Sequence, residues 1–277
     1  MSLTKIAMFV YTVILKPWPL RWITNKMLLL VIPSRVSLPE GVVNLHPKDP
    51  VISGALALGV YETYQLDLFR SLIRKGMTVL DIGANVGLYT VIAARLVGEE
   101  GRIISFEPEA QNFGILKKNI SDNNFKNVQP IQVAVADTEG ELTLFLSKGN
   151  KGKHSLFRPS DTGGEQVVKT IVLDKWLEKH TIGKVDIIKI DIQGAEPLAF
   201  SGMQKTLSTK PVLLMEYDPK SIRESGHNPI ETLEMLLGYG YVLYSVDEGK
   251  KSKKKINDIR LFTDALRKEQ YANLLCI

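Results

Sequence analysis

The feature that most constrains the fold of this chain is a regular alternation of short β-branched runs and helical stretches from Thr78 onward. This alternation is typical of a parallel sheet whose strands are joined by crossover helices. The predicted strands are Thr78–Ile82, Arg102–Phe106, Val128–Val135, Val185–Ile190, Val212–Glu216 and Tyr241–Val246. The predicted helices are Leu88–Val97, Ala110–Asn119, Leu173–His180, Glu196–Leu207 and Ile230–Leu237. The pattern therefore predicts an α/β fold.

An insertion interrupts the alternation between the third and fourth predicted strands. It contains two candidate strands, Glu141–Leu146 and Val167–Val172, on either side of a polar stretch from Lys148 to Glu165. A polar stretch of this kind usually forms an exposed loop or a lid. Near the end of the chain, Ile259–Thr263 and Ala272–Ile277 are expected to be strands that supply an antiparallel edge.

The loop after the first strand, Asp81-Ile82-Gly83-Ala84-Asn85-Val86-Gly87, has the composition of a ligand-binding turn. Ligands of open α/β sheets lie outside the carboxyl ends of the strands, and glycines allow a close approach. Asn85 stands where a dinucleotide-binding turn has its middle glycine, and Asp81 would repel a pyrophosphate. The loop better suits a ligand with an ammonium group, such as the methionine part of S-adenosylmethionine.

The second strand ends in Phe106-Glu107-Pro108, where a carboxylate can accept hydrogen bonds from both hydroxyls of a ribose. Glu107 follows Gly87 by 20 residues, a distance that fits a nucleoside lying across the strand ends. An acid at this position can also be a residue favoured by the dipole of a helix N-terminus, as Glu109 is. The two loops together favour a bound nucleoside cofactor.

With a third motif, Lys189-Ile190-Asp191-Ile192-Gln193-Gly194-Ala195-Glu196, these segments resemble the FkbM family of S-adenosylmethionine-dependent methyltransferases, over about residues 61–217. The resemblance implies a class I methyltransferase fold, a Rossmann-like three-layer sandwich around a mostly parallel seven-stranded sheet. It also implies S-adenosylmethionine as cofactor and O-methylation of a hydroxyl on a small molecule, glycan or lipid. Members often carry Glu where this chain has Gln193, so the chain departs from the family there.

The resemblance also assigns residues to the cofactor. They are Glu62, Asp81, Gly83, Ala84, Asn85, Gly87, Glu107, Pro108, Val135 and Asp137. The residues of the glycine loop would hold the methionine part, and Glu107 would hold the ribose. Val135 and Asp137 would meet the adenine, although Asp137 also begins a good turn sequence. Glu62 resembles an upstream cofactor contact, and a solvated helix start is the alternative interpretation.

Transfer of a methyl group to a hydroxyl needs alignment and a general base. The candidate catalytic residues are Asp191, His154 and Glu196. Asp191 follows the fourth strand and is expected to face the crevice, with a structural bond to loop amides as the alternative. His154 lies in the insertion and has a suitable pKa, yet a loop histidine is often only solvated. Glu196 could instead stabilise the first turn of a helix.

The chain has a single cysteine, Cys276, in an apolar run near its end. One thiol excludes internal disulfides and multi-cysteine zinc sites. It also argues against cytosine methylation through a cysteine adduct. No clustered histidine and carboxylate ligands indicate a metal site, so none is predicted.

Positive charge is concentrated at the start of the chain. The sequence has 35 basic and 30 acidic residues, and the five basic residues before Glu40 account for the whole excess. The apolar runs Ile6–Leu15 and Met27–Ile32 are too short to span a bilayer. We divide the chain into a basic, apolar, helical N-terminal arm (1–40), a lead-in or lid segment (41–70) and a methyltransferase domain (71–277).

Tryptophans among basic residues in this arm suit a membrane interface. The sequence therefore predicts a cytoplasmic protein that associates peripherally with the inner face of a membrane through residues 1–39. Packing of the arm on the domain is the alternative, and the oligomeric state is left open.

Two other functions compete with methylation of a small molecule, glycan or lipid. A lysine run, Lys250, Lys251, Lys253, Lys254 and Lys255, could belong to a nucleic-acid methyltransferase. No aromatic residues are interleaved in this run, so no nucleic-acid partner is expected. The third hypothesis is a membrane-associated binding module that has lost catalysis, against which the intact glycine loop argues.

Overall fold

The computed structural model describes residues 32–47, 49, 51–147, 154–158, 162–266 and 271–277. Of the helical arm predicted over residues 1–40, residues 1–31 lie outside the described residues. The strands are β1 (Arg35–Leu38), β2 (Gly41–Asn44), β3 (Thr78–Ile82), β4 (Arg102–Phe106), β5 (Val128–Ile131), β6 (Ala134–Ala136), β7 (Gly140–Ser147), β8 (Thr162–Val172), β9 (Ile187–Ile190), β10 (Val212–Tyr217), β11 (Leu243–Asp247), β12 (Ser252–Lys255) and β13 (Ala272–Cys276). The helices are α1 (Ile52–Ala57), α2 (Thr63–Leu72), α3 (Leu88–Val97), α4 (Ala110–Asp122), α5 (Leu173–Lys179), α6 (Glu196–Ser201), α7 (Gln204–Ser208), α8 (Pro219–Glu224), α9 (Pro229–Gly238) and α10 (Ile259–Ala265).

The central sheet has the strand order β12-β11-β13-β10-β9-β3-β4-β5 in the described part of the chain. Strands β10, β9, β3, β4 and β5 pair in parallel, whereas β13 is antiparallel to both β10 and β11. The strand order reverses between β3 and β9, because the chain builds outward from β3 to β5 and then returns to β9. Such a switch point is where open α/β sheets bind ligands, at the carboxyl ends of the strands.

Helices cover both faces of this sheet and bury alternate residues of each strand. On one face, α1, α2 and α3 pack against the side chains of Val79, Ile103 and Ile187. On the other face, α5, α6 and α9 pack against Leu80 and Ile188. These three layers form the Rossmann-like class I methyltransferase fold that the family resemblance implies. The mostly parallel sheet of seven strands is confirmed, with β12 as an eighth strand at its edge.

The predicted insertion forms a second, three-stranded sheet with the order β6-β8-β7. Strand β7 pairs antiparallel with β8, and β6 pairs parallel with β8. The backbone of Ser155 exchanges two hydrogen bonds with Phe145 of β7, with N–O distances of 2.8 and 3.1 Å. This bridge fixes the segment 154–158 against the insertion sheet.

Four elements differ from the sequence prediction. The helix predicted over Glu196–Leu207 is divided into α6 and α7. The run Val128–Val135 is not one strand, because a turn closed by the Val133 amide and the Ile131 carbonyl separates β5 from β6. The run Ile259–Thr263 was expected to be a strand and is the start of helix α10, capped by the Asp258 carboxylate. Strand β13 does not form an edge, since it lies between β10 and β11.

A β-hairpin of β1 and β2 precedes the main sheet and packs on its helices. Glu40, in the hairpin turn, is 5% exposed and receives two hydrogen bonds from the Arg70 guanidinium, at 2.7 and 3.1 Å. Its carbonyl oxygen accepts a third bond from Arg95, at 2.8 Å. The hairpin spans the boundary that the sequence analysis sets at residue 40. In the described residues, no helix has both the length and the hydropathy needed to cross a bilayer.

Candidate functional site

The glycine loop after β3 adopts a backbone conformation that needs its glycines. Gly83 and Gly87 have φ angles of +78° and +90°, and Asn85 has a φ of +52°. A Cβ atom added to Gly83 would lie 2.0 Å from the carbonyl oxygen of Asp191. The loops after β3 and β9 therefore touch through backbone, and a side chain at Gly83 would push them apart.

Glu107, directly after β4, connects the second loop to the first. Its side-chain oxygens accept hydrogen bonds from the amides of Asn85, at 2.8 Å, and Glu109, at 2.9 Å. Glu107 is 5% exposed, and burial raises its pKa to about 8, although both amides lower it. Each carboxylate oxygen has a second lone pair, so the group can still accept a bond from a bound hydroxyl.

A first cavity of about 560 Å³ opens above these two loops. The cavity combines the Glu107 carboxylate with apolar walls from several elements. The residues that line it include Gly83, Asn85, Glu107, Pro108, Ala134, Val135, Leu144, His154, Leu156, Asp191 and Gln193. The insertion sheet and the segment bound to it supply five of these, Ala134, Val135, Leu144, His154 and Leu156, so they form one wall of the site.

A second cavity of about 480 Å³ lies on the other side of the glycine loop. Its lining includes Tyr61, Asp81, Gly83, Ala84, Asn85, Tyr89, Lys189 and Asp191. The two cavities share Gly83, Asn85 and Asp191, and so they meet where the loops after β3 and β9 touch. An elongated ligand that crosses the glycine loop could occupy both.

Asp81 lies in the floor of the second cavity and is 2% exposed. One carboxylate oxygen accepts a hydrogen bond of 2.6 Å from the hydroxyl of Thr90 in α3. Burial raises the pKa of Asp81 to about 6, although Thr90 and Lys189 lower it. A cationic ligand group beside Asp81 would return this carboxyl to its ionised form.

Lys189 is a buried cation at the centre of the site. It is 3% exposed in β9, and its Nζ atom lies 3.7 Å from Asp191 Oδ2 and 4.9 Å from the ring centroid of Tyr89. Burial lowers the pKa of Lys189, but the carboxylates of Asp191, Glu62, Asp81 and Glu216 together raise it above its ordinary value. The lysine therefore stays charged and acts as counter-ion to acids from several segments.

Gln193 joins two of these acids. Its side-chain nitrogen donates to Asp191 Oδ1 at 2.7 Å and to Glu216 Oε1 at 2.6 Å. Burial and the charge of Asp191 raise the pKa of Glu216 well above its usual range. Gln193 has a φ of +53° and its carbonyl oxygen accepts a 3.1 Å bond from the Ser155 hydroxyl. Asp191 lines both cavities. Its Oδ1 atom accepts the hydrogen bond from the Gln193 side chain, and its Oδ2 atom faces the Lys189 ammonium.

Glu196 lies beneath this loop and is 1% exposed. Its two side-chain oxygens accept hydrogen bonds from the amides of Ile192 and Gly194, at 3.0 and 2.9 Å. Burial raises its pKa to about 7. Glu196 does not line either cavity, so its contacts support the shape of the loop rather than proton transfer.

His154 lines the first cavity, and its Nδ1 atom accepts a 3.1 Å bond from the amide of Ser147. A neutral imidazole that accepts at Nδ1 carries its proton on Nε2. In that tautomer Nε2 donates a hydrogen bond and cannot take a proton. The geometry is therefore that of a donor rather than the general base considered from the sequence.

Three predicted cofactor contacts, Asp137, Glu62 and Gly87, do not line either cavity. Asp137 is exposed in the turn after β6, and its carboxylate accepts a 3.3 Å hydrogen bond from the hydroxyl of Thr138. Val135, two residues earlier, does line the first cavity. Glu62 is next to the second cavity and accepts a 2.6 Å bond from the hydroxyl of Tyr89. Burial raises the pKa of Glu62 to about 7. Gly87 begins α3, where Leu116 packs against it.

Lys189, Tyr89 and the bridge through Gln193 were not predicted as functional. Lys189 had a signal in the sequence, because a lysine inside an otherwise apolar run that forms a buried strand needs a buried partner. Glu216 was predicted only as the last residue of the fifth strand. The described residues contain no group of three or more histidine, cysteine or acidic side chains that could hold a metal ion.

The proteins that match this chain are methyltransferases with different printed acceptors, among them ribosomal RNA large subunit methyltransferases and a probable cobalt-precorrin-6B C(15)-methyltransferase of Saccharolobus solfataricus, which is 28% identical over 144 residues. A family model described as the methyltransferase FkbM domain matches residues 81–243. The hexuronic acid methyltransferase AglP of Haloferax volcanii is 26% identical over 147 residues, covering 51% of this chain and 58% of that protein. The 2-O-methyltransferase NoeI of Sinorhizobium fredii is 24% identical over 174 residues, covering 57% of this chain and 70% of that protein.

Among solved structures, a methyltransferase FkbM from Methylobacillus flagellatus superposes on 94% of this chain and 60% of its own, with a TM-score of 0.47 and 14% identity. The chain spans little more than half of the length of AglP, because the match covers 58% of that protein.

Proposed function

The chain belongs to the methyltransferase FkbM domain family, and from this premise we propose that it transfers the methyl group of S-adenosylmethionine to a hydroxyl oxygen of a small molecule, glycan or lipid. The observation that supports the proposal best is the position of Asp191, which lies where the two cavities meet. The relatives' printed names include a hexuronic acid methyltransferase and a 2-O-methyltransferase, and both agree with a hydroxyl-bearing acceptor.

S-adenosylmethionine is the cofactor of this family, and the residues of both cavities fit it. In the first cavity, Glu107 presents acceptor oxygens for ribose hydroxyls, and Pro108 and Val135 offer apolar surface for a base. In the second cavity, Asp81 provides a buried carboxylate for an ammonium group. Gly83 leaves the space between them free of side chain. When bound, the cofactor supplies a methyl group on a positively charged sulfur.

In this proposal, Asp191 orients the acceptor hydroxyl and receives its proton. The bond from Gln193 and the nearby Lys189 ammonium fix the orientation of this carboxylate. As the carbon–oxygen bond forms and the carbon–sulfur bond breaks, the hydroxyl proton passes to Asp191 and later to water. The products are a methyl ether and S-adenosylhomocysteine. The protein contributes mainly alignment, which can supply much of the rate.

His154 and Glu196 have supporting roles in this proposal. His154 forms part of the cavity wall beside the acceptor, and the amide of Ser147 fixes its ring through Nδ1. Glu196 positions the loop that carries Asp191, because its carboxylate holds the amides of Ile192 and Gly194. Neither residue needs to accept a proton from the substrate.

Calorimetric titration with S-adenosylhomocysteine tests the cofactor part of the proposal. We expect the wild type to bind, and Glu107→Gln and Asp81→Asn to lose affinity by roughly tenfold or more, because each removes a charge-assisted hydrogen bond. Asp137→Asn is the matched control, since Asp137 is exposed and outside both cavities. Absence of binding to the wild type would refute the proposed function.

A carbon-13 methyl label tests the chemistry. The enzyme is incubated with labelled S-adenosylmethionine and extracts of metabolites, glycans and lipids, and the carbon chemical shift separates methyl ethers from methyl amines and esters. We expect a methyl ether. Asp191→Asn should still bind S-adenosylhomocysteine but lose roughly 100-fold or more in transfer rate, as expected for loss of a general base. A labelled amine in place of an ether would contradict O-methylation.

A further inference from the structure

Helix α2 is not capped by its own N-terminal residue. Its N-cap, Glu62, has a φ of +40° in the left-handed region, and its side chain makes no bond to the helix amides. The carboxylate instead accepts the 2.6 Å bond from the hydroxyl of Tyr89. An N-cap side chain normally binds the second or third amide of its helix, so these amides of α2 need another partner.

Glu248, from the turn between β11 and β12, supplies that partner. Its Oε2 atom accepts a 2.9 Å bond from the amide of Tyr64, and its Oε1 atom accepts a 2.7 Å bond from the amide of Gln65, 183 residues earlier in the chain. The turn is itself fixed, because the Asp247 carboxylate accepts a 2.9 Å bond from the amide of Lys250. A distant turn thus caps α2 with a carboxylate, which the dipole of a helix favours at this end.

The capped end of α2 lies against the second cavity. Tyr61, two residues before the helix, lines this cavity, and Tyr89 lines it from α3. The hydroxyl of Tyr89 donates to Glu62 and accepts a 2.9 Å bond from the side-chain amide of Gln65. Both partners of Tyr89 therefore belong to the end of α2 that Glu248 holds.

Loss of the Glu248 carboxylate would leave two amides of α2 without their partner. Glu62 holds the N-cap position and could bind them in its place. A capping side chain reaches its amides from an extended backbone, so Glu62 would have to leave its left-handed conformation and its bond to Tyr89. The cap from Glu248 thus allows Glu62 to hold Tyr89 in the cavity wall.

We propose that Glu248 is a positioning residue for the cofactor, because it holds the start of α2 so that Tyr61 and Tyr89 form part of the wall of the second cavity. This inference rests on the proposed function, in which that cavity receives the methionine part of S-adenosylmethionine. Glu248 and the start of α2 both lie outside residues 81–243, which the family model matches. The contact therefore adds to what family membership says about the site.

Calorimetry with S-adenosylhomocysteine tests the role of Glu248. We expect Glu248→Ala to bind roughly tenfold more weakly than the wild type, and Glu248→Gln, which keeps an acceptor oxygen for one amide, roughly threefold more weakly. Asp258→Ala is the matched control, because Asp258 also caps a helix through two amides, those of Arg260 and Leu261, and lines neither cavity. Both alanine variants should melt roughly 2–4 °C lower, but only Glu248→Ala should lose affinity.

Hydrogen exchange gives a readout that a purely structural cap would not change. If the cap and the cofactor site are coupled, each must stabilise the other. Binding of S-adenosylhomocysteine to the wild type should therefore slow exchange of the amides of Tyr64 and Gln65 by roughly threefold or more, although neither residue lines a cavity. This protection should be absent in Glu248→Ala.

The outcomes separate the two proposals. If S-adenosylhomocysteine does not bind the wild type, the proposed function fails and this inference fails with it. If it binds, unchanged affinity of folded Glu248→Ala overturns the inference alone, and so does an equal loss of affinity in Asp258→Ala. If Glu248→Ala does not fold, Glu248→Gln takes its place. The exchange of Tyr64 and Gln65 in the wild type needs no variant, and its failure to slow with the ligand bound would also overturn the inference.

Discussion

At the scale of single residues, Lys189 shows how one buried charge organises a site. Its ammonium lies 3.7 Å from Asp191 and over the ring of Tyr89, in a strand whose other residues are apolar. A buried ammonium without partners would lose its proton or destabilise the fold. Here the surrounding acids raise the pKa of Lys189 and keep it charged, and Lys189 in turn is their counter-ion.

Replacement of Lys189 by methionine should destabilise the protein by about 3–5 kcal/mol, as expected for breaking a buried ion pair. The loss should be larger at about pH 8 than at about pH 6, because the neighbouring acids then have negative charge without a counter-ion. Urea unfolding at both pH values measures it. Lys205→Met is the control, since Lys205 is exposed and 3.7 Å from exposed Glu178. Equal losses at both pH values would contradict the role assigned to Lys189.

Two glycines give opposite predictions for the same substitution. Gly83→Ala should cost about 2 kcal/mol or more and weaken binding of S-adenosylhomocysteine, because the φ is +78° and the new Cβ would meet the Asp191 carbonyl at 2.0 Å. Gly114→Ala, in α4, should stabilise by about 0.5–1 kcal/mol, because nothing lies within 4 Å of the added atom. Thermal unfolding and calorimetry measure both variants. A stable, fully binding Gly83→Ala protein would show that the loop contact is dispensable.

At the scale of elements, the hairpin of β1 and β2 is held by asparagines of α4. Asn119 accepts from the backbone and side-chain nitrogens of Asn44, at 2.6 and 2.7 Å, and donates to the Asn44 carbonyl at 3.2 Å. Its amide also donates to Val86 O, in the glycine loop, at 2.7 Å. Asn123 makes a reciprocal pair with the backbone of Val42. One helix therefore supports both the hairpin and the cofactor loop.

Asn119→Ala should destabilise the protein by about 3 kcal/mol, because buried backbone groups of the hairpin and the glycine loop lose their partner. Amides of residues 41–44 should exchange with solvent faster. Lys118→Ala, one residue away, removes only an exposed pair with Asp122 and should cost less than about 0.5 kcal/mol. Hydrogen exchange and thermal unfolding test both. An Asn119→Ala protein with unchanged exchange in the hairpin would contradict this support.

Elements with strong local signals were predicted well. The bounds of β3, β4 and α3 agree with the sequence prediction, because each has a continuous apolar core and ends at glycines or a charged residue. Helix α10 was mistaken for a strand, since a run of seven residues fits either period. Its signals were the Asp258 cap and the helical spacing of Ile259, Phe262 and Leu266, which pack on the core.

The site was predicted in part, and the limit has a physical cause. Glu107 and the glycine loop were found because strand ends are local features of the sequence. The contacts among Lys189, Gln193 and Glu216 depend on the parallel register of β9 with β3 and β10, which pairs residues far apart in the chain. Sequence spacing does not fix that register. The same reason explains why His154 could be named as a candidate but not given its donor geometry.

At the scale of the whole molecule, the acids of the site should make stability depend on pH. Burial raises the pKa of Asp81 to about 6, of Glu62 and Glu196 to about 7, and of Glu107 to about 8. An acid whose pKa is higher in the folded than in the unfolded protein favours folding most at a pH where it is protonated in both the folded and the unfolded state. That contribution is lost as the pH rises from the unfolded pKa through the folded one.

The free energy of unfolding of the unliganded protein should therefore fall by a few kcal/mol between about pH 5 and about pH 8.5, since each acid contributes up to about 1.4 kcal/mol per pH unit. Urea unfolding across this range measures the fall. Glu107→Gln should make the dependence shallower above about pH 6, because it removes the acid with the highest of these values. A protein that becomes more stable toward about pH 8.5 would contradict the burial of these acids.

The place of β13 has a consequence for biosynthesis. This strand, Ala272–Cys276, lies between β10 and β11, with Leu274, Leu275 and Cys276 fully or almost fully buried. Strands β11 and β12 are made earlier but pair with the rest of the sheet only through β13. Translation must therefore pass residue 276 before they can join it. Until then the backbone edge of β10 that pairs with β13 has no strand beside it, so completion of the sheet follows synthesis of residue 276.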